Sequence, residues 1–593
     1  MKPPMSEPVR CRVTMSRPHT HLFEVEQRFP SGEETLIAEM PVWTPGSYLV
    51  REFARHIQDF TAVDDAGRPL PFTRLDKRRF KVSTRGAPAT LRYRVYANEL
   101  TVRTSHLDGT HGYFNGASLF LYSASSRSLL HRLTVQPPAG WRVFTALDEE
   151  AGAFVAADYD ELVDSPVEVG PEEPLEFTAA GVPHRVVVWG EPSPPAARLT
   201  ADLSRICETE AKLFGELPLR RYLFLTYLTD KGRGGLEHMA STALLYPRFG
   251  LATPKGWEDF MTLAAHEYFH LWNVKRIKPK ALVPFDYSQE VYTSLLWAFE
   301  GVTSYYDNLI VRRAEIMSAA RYLTRLGETL TLLQGTPGRR AQSLAEASWM
   351  SWIKHYRPDE NSPNSAISYY LKGEVVGCLL DLEIRRATGD RQSLDDVMRL
   401  LWRRYGDGRG VSEDGVEAVA AEVAGRSLAP FFDRAVRSTS DLDYEVFGHV
   451  GLEAKVRVRE SAGDKGGTPP RTKNGEAKPK GWLGILPKGG STIGSVLEGS
   501  PAMEAGLYAD DELVALDGFK VDCVALSTRC EEKRPGEQVR IAVFRRDRLL
   551  DVPVTLGTKP ADAIYLARVE KPSDAQKSAY QAWLGASWDE PSP

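Results

Sequence analysis

Residues 263–279 read LAAHEYFHLWNVKRIKP and carry His266, Glu267 and His270 as H-E-x-x-H. Four residues apart on a helix, both imidazoles leave one face, where a single tetrahedral zinc can accept both. Glu267 then lies beside the metal, placed to take a proton from the attacking water and pass it to a leaving amine. The same string arises by chance roughly once in a hundred proteins of this size and composition, and two surface histidines with an i,i+4 contact would also spell it. Context weighs against that. MTLAA precedes the motif and LW follows it, so the helix has an apolar body. Two histidines and a glutamate buried there without partners would carry a penalty of about several kcal/mol, and a metal would satisfy all three.

A catalytic zinc needs a third protein ligand and an open position. Thirty residues after His270, WAFEGVTSYY places Glu300 in an otherwise apolar helix spanning 289–312. A carboxylate there is costly unless it is paired with Arg or Lys, exposed, or bound to metal. Thr303, Ser304 and Asp307 follow within two turns, and any of them could orient a ligand. Asn273, Lys275 and Arg276 come directly after the histidine helix and either line the site or cap a solvated helix end.

Outward from this centre, 593 residues are too many for one hydrophobic core, so several domains are expected. A net charge of −5 is small for the length and gives no reason to expect nucleic acid or an acidic membrane as partner. The N-terminal stretch MKPPMSEPVRCRVTMSRP has no apolar h-region, and no run of about 18 apolar residues occurs, so neither a secretory signal nor a transmembrane helix is expected. The five cysteines (Cys11, Cys207, Cys378, Cys523, Cys530) are scattered and off zinc-finger spacing. They suit a reducing compartment, and the expected location is the cytoplasm.

Residues 1–170 show short alternating stretches such as HLFEVEQRF and TLRYRVYA between Gly, Pro and Asp clusters, an all-β, sandwich-like pattern. From about 195 the period becomes helical in ARLTADLSRICETEAKLFGEL, RYLFLTYLT reads as a buried strand, and further helices run to about 440. Residues 460–480, ESAGDKGGTPPRTKNGEAKPK, are polar and rich in Gly, Pro and Lys and read as a flexible insert. Residues 481–556 alternate around many glycines as a small β module, and a short helix and a tail end the chain.

These residues resemble a known family. H-E-x-x-H on one helix with E-G-x-T/A on a later one is similar to the gluzincin zinc peptidases. HEYFHLWNVKRIKP, with GGLEH upstream, SYYLKG downstream and MPVWTPGSYLVREFARH at 40–56, resembles the glycyl aminopeptidase family within that group. The resemblance implies a multidomain α+β protein. Its parts would be an N-terminal β-domain (1–170), a thermolysin-like, mainly helical zinc-peptidase domain (171–450), a PDZ-like β domain (451–560) with the insert at 460–480, and a tail (561–593). It implies one Zn2+ held by His266, His270 and Glu300, with Glu267 as general base. Gly234, Gly235, Glu237 and His238 of GGLEH would form an edge strand beside the cleft, with Glu237 holding the substrate's α-amine. Tyr370, in Tyr370-Leu371-Lys372-Gly373, would stabilise the oxyanion. Glu237 as a salt-bridge residue, His238 as the polar contact, and Tyr369 in place of Tyr370 remain open alternatives.

GWLGI (481–485) resembles the carboxylate-binding loop of PDZ domains, and SPAMEAGLYADDELVALDG (500–518) their succeeding motif. Backbone N–H groups at Leu483, Gly484 and Ile485 would hold a peptide C-terminus, unless the groove is blocked by packing on the peptidase. The expected function is a zinc aminopeptidase acting on short peptides with a free N-terminus and a small first residue, Gly or Ala. An endopeptidase fed by the PDZ-like module and a non-catalytic peptide-binding scaffold are the alternatives.

Overall fold

The computed structural model describes residues 7–30, 32–470 and 479–590. The chain divides into two compact units: residues up to Tyr292 with Leu401–Ser412, and Thr293–Leu400 with the residues from Glu413 onward.

The first unit begins with β-structure. Val9–Thr14 pairs in parallel with His131–Gln136 and antiparallel with Leu22–Phe29, which in turn pairs with Ala89–Tyr96. Alternation sets the inner face: in Leu22–Phe29 every second residue is buried, placing Phe23, Val25, Gln27 and Phe29 inside. Gln27 is tolerated there because its amide is satisfied. Nε2 donates to the Leu121 carbonyl (3.0 Å), and Oε1 accepts from Tyr93 Oη (2.6 Å) and Leu121 N (2.8 Å).

A five-stranded sheet follows, in the order Leu175–Ala179, Val182–Trp189, Tyr222–Thr229, Ser241–Pro247, Gly234–Glu237. The three inner strands are parallel, and Tyr222–Thr229 is buried along its whole length, which is why RYLFLTYLT shows no alternation. Gly234–Glu237 runs antiparallel at the edge. The helix Ala196–Phe214 makes the crossover and ends on Gly215 in the left-handed region. Helix Pro254–Phe269 starts with Pro254 in its first turn, under Thr253, whose hydroxyl accepts from Gly256 N.

The second unit is mainly helical, with Val302–Arg313, Ala319–Gln334 and Tyr369–Thr388 at its centre. Leu452–Arg457 pairs with Ala563–Arg568 rather than with the small module, and Ile564 N donates to Thr331 Oγ1 (2.8 Å) on Ala319–Gln334. Residues 460–470 of the expected flexible insert are pinned. Gly467 N donates to the Ile564 carbonyl (2.8 Å), and Arg457 holds Asp464 at 2.5 Å; residues 471–478 of that insert lie outside the described residues. Helix Asp574–Leu584 opens with a capping box between Ser573 and Gln576, and Trp583 Nε1 donates to Tyr305 Oη (3.0 Å). Between these lies an antiparallel sheet of Ile485–Gly489, Thr492–Val496, Glu512–Leu516, Gln538–Arg545 and Arg548–Thr555, with helix Cys523–Glu531 over a core of Leu483, Ile493, Leu526 and Ile541.

Candidate active site

His266 and His270 stand at the C-terminal end of Pro254–Phe269, their ring centroids 4.7 Å apart and nearly perpendicular. His270 is buried, and its Nδ1 lies 2.7 Å from the Asn273 carbonyl. That carbonyl accepts an Nδ1–H, which fixes the tautomer with the Nε2 lone pair available to a metal. The chain after the helix is bent to reach this position: Val274 holds φ at 139°, a region β-branched residues avoid. Lys275 and Arg276 are not a solvated helix end. Lys275 is buried with Nζ 2.5 Å from Asp164 Oδ1, and Arg276 donates to the carbonyls of Leu271 (2.8 Å) and Pro218 (3.1 Å).

The edge strand is shaped around two carboxylates. Gly235 and Glu237 lie two residues apart and so share a face. An alanine Cβ at Gly235 would sit 2.0 Å from Glu267 Oε1, so the glycine is the space into which the Glu267 carboxylate fits. Ligand atoms of Glu237, Glu267 and His270 converge within 4.8 Å of one another. Glu237 is 3% exposed, and its Oε1 has no hydrogen-bond partner among the described residues. The turn at Gly46 (φ +87°) approaches from the N-terminal β-region, where a Cβ would stand 2.5 Å from Glu237 Oε1. Arg103 caps the strand, its Nη2 donating to the Gly235 carbonyl (3.2 Å), and a Cβ at Gly234 would meet its Nη1 at 3.2 Å.

His238 turns the other way. Its Nδ1 faces Asp164 Oδ1 (3.2 Å), the carboxylate that also receives Lys275 and Met239 N (2.8 Å). Lys275 and His238 together hold the Asp164 carboxyl well below the usual carboxylate range despite its burial.

The other sequence-selected residues belong to the second unit. Glu300 is buried within a π-helical turn, Trp297–Gly301, that leads into Val302–Arg313; residues 289–294 are not helical. Thr303 Oγ1 donates to the Phe299 carbonyl (2.7 Å) and Ser304 Oγ to the Glu300 carbonyl (3.0 Å), so both hydroxyls brace the turn's backbone. Gly301 and Gly373 meet backbone to backbone: a Cβ on Gly301 would be 2.4 Å from Gly373 Cα, and one on Gly373 2.8 Å from Gly301 Cα. This crossing explains the glycines of both E-G and Y-L-K-G.

Tyr369 is fully buried, while Tyr370 keeps partial exposure. The Tyr370 hydroxyl lies 3.4 Å from that of Tyr356, and the His355 ring lies 5.3 Å from the Tyr370 ring. Burial, and then the charge of Glu300, push the Tyr370 phenol well above its usual range, so it remains an O–H donor. Burial pulls His355 down, favouring the neutral ring.

In the small module, Gly484 has φ +83°, and a Cβ there would meet Ser500 Cβ at 2.3 Å. The carbonyls of Leu483 and Gly484 accept from Ala502 N (3.0 Å) and Leu497 N (2.9 Å), and Ile485 opens the sheet's outermost strand. Asn364 clamps the next turn, donating to the Val496 carbonyl (2.8 Å) and accepting from Glu498 N (2.9 Å).

Comparison with known proteins places two family models on this chain. The peptidase M61 N-terminal domain matches residues 10–171, and the M61 glycyl aminopeptidase domain matches residues 259–376. A solved aminopeptidase N family protein from Idiomarina loihiensis is 32% identical with a TM-score of 0.91, covering 97% of this chain and 100% of that one. Probable periplasmic serine endoproteases, DegP-like, match locally. The Chlamydia muridarum protein is 36% identical over 74 residues, 12% of this chain and 15% of that one. The Hahella chejuensis protein is 31% identical over 100 residues, 14% of this chain and 21% of that one. The chain thus spans about a sixth to a fifth of the curated relatives it matches.

Proposed function

The chain belongs to the M61 glycyl aminopeptidase family of zinc metallo-aminopeptidases, and from that premise we propose that it removes single N-terminal residues, Gly and Ala foremost, from short peptides. Glu237 carries the exopeptidase reading: a buried carboxylate with an unpartnered oxygen, converging with Glu267 and His270. Such an oxygen accepts the ammonium of a peptide's first residue, and the charge-assisted bond fixes which carbonyl reaches the reacting centre. The preference for a small first residue follows the family's description as glycyl aminopeptidases.

His266, His270 and Glu300 would hold one zinc, a two-imidazole, one-carboxylate donor set suited to an open catalytic position, and the Nδ1–Asn273 bond presents His270 Nε2 for it. When bound, zinc supplies Lewis-acid polarisation of the scissile carbonyl and makes water a nucleophile at neutral pH. Glu267 takes the proton from the attacking water and returns it to the leaving amine. The Tyr370 O–H donates to the oxygen on which charge develops, a bond stronger in the transition state than in the ground state. The substrate main chain lies along Gly234 and Gly235, and His238 holds the end of that strand through Asp164.

The 481–558 module is read as PDZ-like, with the loop at Leu483, Gly484 and Ile485 taking a peptide's C-terminal carboxylate. The outer position of Ile485–Gly489 and the exposure of Leu486 and Val524 support strand addition there. Five buried, unbridged cysteines support a reducing compartment such as the cytoplasm. No helix among the described residues is long and apolar enough to cross a membrane.

The deciding experiment compares an Ala-initiated peptide with its N-acetylated twin on zinc-loaded protein. Cleavage of the free-amine peptide alone, one residue at a time, is expected, and Glu237→Gln should lower kcat/KM on it. Equal or faster cleavage of the acetylated twin would replace the aminopeptidase with an endopeptidase.

A further inference from the structure

A second group of metal-ligand side chains stands apart from the histidine helix. Ser105–Leu107 and Gly112–Phe114 form a hairpin, and His106, Asp108 and His111 sit at its turn with one ligand atom each within 4.8 Å of the others. The turn dedicates one oxygen of Asp108 to itself: Oδ1 accepts from Thr110 N (2.7 Å), Thr110 Oγ1 (2.6 Å) and His111 N (3.2 Å). Oδ2 faces away from these bonds and lies 3.3 Å from His106 Nε2.

His111 is 0% exposed and tightly oriented. Its ring stacks on Trp189 with centroids 4.0 Å apart, and its Nδ1 lies 3.0 Å from Glu168 Oε1. Glu168 is itself buried and accepts from Tyr227 Oη through its other oxygen (3.0 Å). The Glu168 carboxylate accepts from His111 Nδ1–H, which in the neutral ring leaves Nε2 as the lone-pair nitrogen. That Nε2 is buried and has no hydrogen-bond partner among the described residues. Leaving such a buried polar atom unsatisfied is destabilising. A carboxylate behind one ring nitrogen, fixing the tautomer so that the other faces outward, is the arrangement that supports histidine ligands to metals. The hydrogen-bonded hairpin accounts for Asp108 Oδ1 but for neither the Glu168–His111 relay nor the bare Nε2.

We propose that His106, Asp108 and His111 form a second site for a borderline divalent cation of the zinc type. Two neutral imidazoles and one carboxylate are a zinc donor set, and a water would complete the tetrahedron. The cation clips the hairpin turn to Glu168, in Val167–Gly170, through His111, so its role is structural. The proposal does not depend on the peptidase reading.

The test is zinc content of the full chain by mass spectrometry after dialysis against excess zinc and then against metal-free buffer. Wild type should retain two zinc ions per chain. His266→Ala/His270→Ala should retain one, and His106→Ala/His111→Ala one with peptide hydrolysis preserved. Asp108→Asn keeps the Oδ1 acceptor of the turn and so guards against misfolding; added to the His266→Ala/His270→Ala chain, it should abolish the remaining zinc and the rise in Tm that zinc gives. One zinc in wild type, or none in His266→Ala/His270→Ala, overturns the proposal. An inactive wild type holding two zinc ions would overturn the peptidase reading instead.

Discussion

Gly235→Ala is the substitution that most directly measures how the edge strand positions Glu267, the proposed base. The added methyl would stand 2.0 Å from Glu267 Oε1, 2.2 Å from Cδ and 2.5 Å from Cγ. Ordinary contact begins near 3.4 Å, so the carboxylate must retreat by about 1.4 Å. The strand itself cannot yield easily, because Gly234–Glu237 is paired residue by residue with Ser241–Pro247. Alanine is otherwise a better strand residue than glycine, by about 0.5–1 kcal/mol, so folding and zinc content should survive. A catalytic group misplaced by about 1 Å costs on the order of a hundredfold in rate, or about 2.7 kcal/mol. The expected result is a kcat on Ala-p-nitroanilide lowered at least a hundredfold (~10²), with KM changed only a few-fold. Circular dichroism and metal analysis should match wild type. A folded, zinc-loaded Gly235→Ala enzyme with kcat within about threefold of wild type would refute the placement of Glu267 as base against this strand.

With Tyr370 as the proposed oxyanion donor, Tyr370→Phe should lower kcat by about 10²–10³-fold with KM nearly unchanged; equal losses in binding alone would point to a packing role. Because the phenol is pushed well above its ordinary 10.0, no loss of activity below about pH 10 should trace to Tyr370, so pH profiles of wild type and Tyr370→Phe should keep the same alkaline shape up to there. Stability should fall in mild acid. Burial lowers His131 and His184 to about 4 from an ordinary 6.5. Between those values the folded chain binds fewer protons than the unfolded one, so their contribution is complete above pH 6.5 and is lost as the pH falls toward 4. Each histidine can supply at most about 3 kcal/mol, and melting curves taken down that range should show Tm dropping; a flat Tm would contradict it. The Nδ1 of His184 donates to the Val182 carbonyl (2.9 Å), so Nε2 accepts from Tyr268 Oη (2.9 Å), and protonation turns that acceptor into a donor.

The readable parts of the sequence were those whose cause is local. Histidines four apart share a helix face whatever surrounds them, and an eight-residue apolar run bounded by turns is a buried strand because parallel strands are covered on both sides. The β-rich start and helical middle followed from period alone. What escaped depends on partners distant in sequence. Nothing near Gly46 announces that its turn will press on Glu237, nearly two hundred residues later, and nothing in WIKHY marks His355 and Tyr356 as neighbours of Tyr370. Lys275 and Arg276 look like a solvated helix end because their acceptors, Asp164 and the Pro218 carbonyl, come from elsewhere in the chain. The π turn at Trp297–Gly301 is invisible to a helical-period reading, which sees only a continuous apolar helix from 289. The pairing of Leu452–Arg457 with Ala563–Arg568 escapes for the same reason, since more than a hundred residues separate the two strands.

The glycines show why a short motif can say so much about a large site. In H-E-x-x-H, G-G-L-E-H, E-G and Y-L-K-G the polar letters name the chemistry, and each could occur by chance on an exposed helix. The glycines could not be exchanged as freely. Gly235 makes room for a carboxylate, Gly46 lets a turn close on another, and Gly301 with Gly373 lets two helix backbones touch. Each is a position where any side chain would collide at 2.0–2.8 Å with an atom of the site or of the crossing that carries it. A chain that keeps the acids and histidines and also the glycines is therefore specifying distances as well as donor types. Distance is what separates a zinc peptidase from a protein that merely contains two histidines on a helix.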